Sequence, residues 1–142
     1  MKRYFIVSCI LLLLVSCSSA NLGPKFNNFE KPNKNQALVY FYRPKGYVGS
    51  MVYYTVKDKS DNIPVVTLYN GGYYPYYTEE GQKTFTATTE ITKSVSLDVK
   101  NGETYFVEGG AGWGFFIAHP KLNVVDKTEA VSSGIAQCKL IK

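Results

Sequence analysis

ALVYFYR, residues 37–43, is apolar at every position up to its closing arginine. Successive side chains of a strand point to opposite faces, so a half-buried strand alternates apolar and polar residues. A run that does not alternate must be covered on both sides. The stretch therefore predicts a central strand in a layered β domain. Pro44, Gly46 and Gly49 end it, and residues 51–58 follow as a second strand with Val52, Tyr54 and Val56 on one face. A hairpin is expected between the two.

Further along, residues 63–69 read as a third strand. After it, Asn70, Gly71 and Gly72 supply the left-handed backbone positions of a tight turn. Residues 73–78 make a fourth strand, which Pro75 places at an edge or a bulge because proline has no N–H to donate. Glu80 and Gly81 turn the chain into 84–88, where Phe85 and Ala87 alternate with threonines. The cleanest alternation is 94–99, with Val95, Leu97 and Val99 inward and Ser94, Ser96 and Asp98 outward. After the Asn101-Gly102 turn, 104–108 and 122–125 are further short strands. Asp126 with Glu129 three residues on marks a helix start, and Val131, Ile135 and Cys138 would share its core-facing side. The expected fold is all-β: an antiparallel β-sandwich, or a barrel, of about seven or eight strands with a short C-terminal helix. It spans residues 37–142.

Composition agrees with a single packed domain. The chain has 142 residues, 45% of them hydrophobic, with 12 Tyr and 8 Phe, and lacks the aromatic poverty of disordered chains. No internal repeat of fixed period is visible.

The other strong signal is at the start. Lys2 and Arg3 precede a nearly unbroken apolar stretch from residue 4 to 15. About a dozen residues are too few to span a bilayer core, which takes roughly 20, so this is a secretory signal. It ends in Leu14, Val15, Ser16 and Cys17, which resembles the lipobox of bacterial lipoproteins. The resemblance implies cleavage between Ser16 and Cys17, and a diacylglycerol and an acyl chain such as palmitate on Cys17. No other cofactor is expected. Ser18 lacks the aspartate that tends to retain such proteins at an inner membrane, so the expected place is the outer membrane, facing the periplasm. Residues 17–36, rich in Asn, Pro, Ser and Lys, read as a flexible tether with a coil span of about 25 Å. The signal peptide occupies 1–16.

With Lys2 and Arg3 removed, the net charge falls from +5 to +3, 14 Lys and Arg against 11 Asp and Glu. No basic run tracks a phosphate backbone, so nucleic acid is not an expected partner. A weak attraction of Lys25, Lys31 and Lys34 to an anionic membrane surface is.

The strand, YRP and glycine-bearing turn within residues 40–56, GGYY at 71–74, Gly81 before Phe85, NGETYFV at 101–107, and KLNVVD leading to a final helix resemble a bacterial family known as domain of unknown function 2846. The resemblance covers residues 37–140. It implies a secreted, often lipid-anchored β-sandwich and no particular activity. Where family members offer Pro-Gly, this chain has Glu80 and Gly81.

Catalytic patterns are weak. His119, followed by Pro120, is the sole histidine, and no serine sits in a G-x-S-x-G elbow. Glu79 and Glu80 are neighbours and read as solvated turn residues. Once the signal is removed and Cys17 alkylated, Cys138 is alone, so no intramolecular disulfide and no metal-ligand set of familiar spacing is expected. Cys138 is then a buried inert thiol or an intermolecular bridge. Two features are candidates for binding. Tyr73, Tyr74, Tyr76 and Tyr77 cannot all face one core, and Trp113 stands among Gly109, Gly110, Gly112 and Gly114. The expected function is a non-enzymatic, membrane-anchored module for binding or assembly with an envelope protein. Glycan or peptidoglycan stacking on these rings is the alternative, and a hydrolase using His119 a third reading.

Overall fold

The computed structural model describes residues 21–142. The expected signal peptide, its cleavage point at Ser16 and Cys17, and the lipid-bearing Cys17 lie outside the described residues. The strands are β1 (Leu22–Lys25), β2 (Ala37–Arg43), β3 (Tyr54–Asp58), β4 (Ile63–Leu68), β5 (Gly72–Thr78), β6 (Gly81–Thr88), β7 (Thr92–Val99), β8 (Thr104–Gly112), β9 (His119–Val125) and β10 (Lys139–Ile141). Before β10 come helix α1 (Lys127–Ser133) and one 3₁₀ turn (Ile135–Gln137). A six-stranded sheet, ordered β1-β10-β5-β2-β8-β9, packs on a four-stranded sheet, β4-β3-β6-β7. The all-β sandwich expected from the sequence is what forms.

β2 is its centre, and all seven of its residues are buried. Ala37, Val39 and Phe41 enter the core between the sheets beside Val56, Leu68, Phe85 and Val107. Leu38, Tyr40 and Tyr42 enter a second core on the opposite face with Phe106, Ala130, Ile135 and Cys138. A strand with two covered faces has no position for a polar side chain except its end, which is why the run does not alternate.

Four expectations are corrected. First, β2 and β3 form no hairpin: β2 pairs antiparallel with β5 and parallel with β8, while β3 lies in the other sheet. The parallel β2–β8 and β10–β5 pairs make the larger sheet mixed rather than wholly antiparallel. Second, the stretch read as a tether is folded from Leu22 onward. β1 pairs with β10, and Phe26 and Phe29 pack on the second core, with Phe29 5.5 Å from the Tyr40 ring. Its Asn, Pro and Lys composition concealed two aromatic anchors three residues apart. Third, β5 is not an edge strand at its start, because β10 pairs with Gly72 and Tyr73. That pairing stops before Pro75, so the missing N–H costs no bond there. Fourth, the C-terminal helix is shorter than its apolar spacing suggests. Asp126 accepts from the Glu129 N–H at 2.8 Å as expected of an N-cap, but Gly134 at φ 112° ends α1. Ala130 is then the buried helical residue, Val131 is half exposed, and Ile135 and Cys138 reach the core from the 3₁₀ turn and beyond.

Cys138 is fully buried, its thiol facing the Arg43 carbonyl at 3.5 Å. Burial pushes its pKa up to about 12, so almost no thiolate exists at neutral pH. The folded protein should show no Cys138 labelling by a maleimide at pH 7.5 and full labelling in denaturant. Rapid labelling of the native state would contradict this burial.

Candidate functional site

The four tyrosines of β5 do not form a common surface. Tyr74 and Tyr76 pack on the core between the sheets, the Tyr76 ring 6.1 Å from that of Phe85. Tyr73 turns to the opposite face against Phe26, ring centres 5.2 Å apart, and Tyr77 on that same side donates its hydroxyl to Glu30. Alternation divides them as the sequence requires, but both faces of this sheet carry packed rings: Tyr73, Tyr74 and Tyr76 are half-buried and Tyr77 alone of the four is exposed.

The exposed apolar residues lie elsewhere, at the end of the sandwich where β2 and β8 finish. Two loops meet there: residues 44–53, which carry the chain from one sheet to the other, and residues 113–118, which close the β8–β9 hairpin. Trp113 is 86% exposed, Phe115 87%, Phe116 86%, Tyr47 100% and Met51 90%. Between the loops is an open groove of about 600 Å³ lined by Tyr47, Val48, Val52, Trp113, Phe116 and Ile117, with no charged side chain in its walls.

This apex is exposed but not unsupported. Arg43, the last residue of β2, is only 2% exposed and donates to the Val52 carbonyl at 2.6 Å and the Gly49 carbonyl at 2.7 Å. Burial lowers its pKa, a cost that the two carbonyls and the face of Tyr54, 5.8 Å away, offset. Gly49 has φ 64°, and a Cβ there would stand 2.4 Å from that of Ala111, so only glycine lets the first loop lie on β8. The buried Tyr54 hydroxyl is 2.9 Å from both the N–H and the carbonyl of Gly110 and 3.0 Å from the Lys121 carbonyl, bracing the β8–β9 hairpin at the base of the second loop.

The second loop is gripped by Glu90, in the turn between β6 and β7. Its carboxylate accepts the N–H groups of Phe116 at 2.8 Å, Ile117 at 3.0 Å and Phe115 at 3.2 Å, and its Oε2 lies 3.0 Å from His119 Nε2. Desolvation pushes the carboxyl pKa up, but these four partners outweigh it and the net shift is downward. A depressed carboxyl contributes order above the ordinary glutamate value of about 4.3 and loses it as pH falls through the lowered one. Trp113 emission should therefore change on acidification only below the ordinary glutamate range, where the depressed Glu90 carboxyl takes its proton. In Glu90→Ala the Phe115 to Ile117 amides should exchange on the order of tenfold faster at pH 7. Unchanged exchange would mean that Glu90 does not hold the loop. Sequence reading missed Glu90 because it lies 25 to 29 residues from the groups it binds.

The Nε2 of His119 is taken by Glu90, and among the described residues no serine, threonine or cysteine is hydrogen-bonded to the imidazole. Among those residues, too, no three of His, Cys, Asp and Glu converge as a metal-ligand group. Lys45 and Lys121 flank the apex, lining an adjoining groove with Tyr47 and Val48. No protein-family model, curated protein or solved structure matches this chain.

Proposed function

We propose that this chain is a non-enzymatic binding module of a bacterial cell envelope, held at a membrane by lipid on Cys17 and making its contact through the apex at residues 44–53 and 113–118. The observation that carries the reading is the exposure of Trp113, Phe115 and Phe116 on a loop whose backbone is fastened by a carboxylate. Leaving such rings in water forgoes about 1.5 to 3 kcal/mol each relative to burial. An apolar cluster held outward in this way marks a binding surface more than a packing accident. The resemblance to the domain of unknown function 2846 family and the lipobox at residues 14–17 support the envelope location, and Ser18 supports the outer membrane facing the periplasm. Aromatic stacking on a glycan is the second reading: the groove walls are apolar, and the polar side chains that would orient a sugar, Lys45, Asn70, Glu108 and Lys121, line the adjoining groove instead.

A photo-crosslinking residue placed at Phe116 in living cells tests this, with the same residue at half-exposed Val131 as control. A discrete adduct from position 116 alone, lost on Trp113→Ser, is expected. Equal yields from both positions, or none from 116, would remove the apex as the contact surface.

A further inference from the structure

The outer face of the smaller sheet has a chemistry unlike that of the apex. Alternation in β3, β6 and β7 sends Val56, Phe85, Ala87 and Leu97 into the core and turns Thr55, Thr84, Thr86, Thr88, Ser94 and Ser96 outward. The hydroxyls are matched across strands: Thr55 with Thr67, Thr84 with Ser96, and Thr88 with Thr92, each pair 2.9 Å apart. Threonine is stiff at χ1, so its hydroxyls hold fixed positions. A hydroxyl is one donor and two acceptors, so each pair keeps bonding capacity for a ligand.

Along the β3–β6 seam this face dips into a groove of about 420 Å³ lined by Tyr53, Thr55, Lys57, Asn62, Thr86 and Thr88. Tyr53, Thr55 and Lys57 are alternate residues of one extended segment, about 13 Å from first to last. Lys57 pairs with Thr86, which puts Thr88 level with Thr55. The Tyr53 ring is braced by Tyr69, ring centres 5.4 Å apart, and is still exposed. No carboxylate lines the groove, and the one ion pair among the described residues joins His119 to Glu90, so the Lys57 ammonium is unpaired.

Each of these groups asks for a different part of one ligand. An exposed aromatic face takes the C–H side of a sugar ring, fixed hydroxyls and an amide take its hydroxyls, and a lone ammonium takes a carboxylate. An apolar segment would leave the threonine hydroxyls unmatched, and a nucleic acid would need more than one cation. We infer that the β3–β6 groove binds a glycan chain bearing sugar acids, with a ring on Tyr53, its hydroxyls on Thr55, Thr86 and Thr88, and a carboxylate at Lys57. The groove shares no lining residue with the apolar groove at the apex, and the inference does not depend on the apex contact.

Amide-shift mapping on the full chain in detergent micelles tests this. The probes are oligogalacturonate, oligomannuronate and a muramic-acid-bearing fragment of the sacculus, with the methyl ester of each as its neutral control. At least one acidic chain should move the amides of residues 53–57 and 84–88 and bind about tenfold more tightly than its ester. Lys57→Gln should abolish that difference, whereas Tyr53→Ala should weaken acid and ester alike by about tenfold. Tyr53 is exposed and Lys57 half-buried, so both variants should keep the parent circular dichroism. No shift with any of the three probes, an acid bound no better than its ester, or shifts confined to residues 113–118 overturns the inference. The crosslink at position 116 is read separately, so the apex reading and this one can each fail alone.

Discussion

Arg43→Ala should destabilise the protein by about 3 kcal/mol or more and release the first apex loop. The argument is one of unmatched groups. The guanidinium is buried at the end of β2, no carboxylate of the described residues reaches it, and its bonds run to the Val52 and Gly49 carbonyls. A hydrogen bond to a charged donor contributes about 1.5 to 3 kcal/mol, and truncation would leave both carbonyls without that donor and a void beneath the Tyr54 ring. Arg43→Lys should recover only part of the loss, because an ammonium is a point donor and cannot fork across two carbonyls. Urea unfolding measures the stability, and proton exchange at the Ser50 and Val52 amides, which bond to the Tyr47 and Gly49 carbonyls, measures the loop. A loss below about 1 kcal/mol with unchanged exchange would show that the loop holds itself.

Phe41→Ala should be at least as damaging, at about 3 to 5 kcal/mol. Phe41 is fully buried, its ring edge-on to Phe85 at 4.8 Å and 6.2 Å from Tyr76, so truncation leaves a cavity between two sheets that strand pairing keeps apart. Against an ordinary total of about 5 to 15 kcal/mol, that should lower the melting temperature by roughly 10 °C or more, and it is large enough to unfold a marginal domain. Tyr53→Ala is the contrast. The two residues are both aromatic and only 12 positions apart, but Tyr53 is exposed on the first apex loop with the Tyr69 ring 5.4 Å away, and its loss should shift stability by no more than about 1 kcal/mol. Similar costs at the two positions in thermal or urea unfolding would refute the assignment of Phe41 to the core and Tyr53 to the surface.

The two positions also indicate how far the sequence could be read. An uninterrupted apolar run at 37–43, alternation at 94–99 and the Asp126 cap each depend on neighbours a few residues away, and each is where it was expected. Trp113 was identified because glycines on either side give an indole little to pack on, and it is exposed. For the β5 tyrosines, alternation assigns side chains to two faces and leaves some exposed, as Tyr77 is, but does not say what covers those faces. Here Phe26, Phe29 and α1 cover one and the smaller sheet the other.

By itself, the sequence determined the β class, the double burial of the central strand, the helix start and the exposed indole. All are consequences of backbone periodicity, turn chemistry and local hydrogen bonding, which act over a few residues. Only the tertiary structure decided that β2 pairs with β8 rather than β3, that the N-terminal stretch is a strand and a cover rather than a tether, and that Glu90 and Arg43 hold two distant loops into one apex. Those contacts join groups whose separation along the chain carries no periodic signal. They form because buried carbonyls and amides must find partners wherever the packed sheets bring them together.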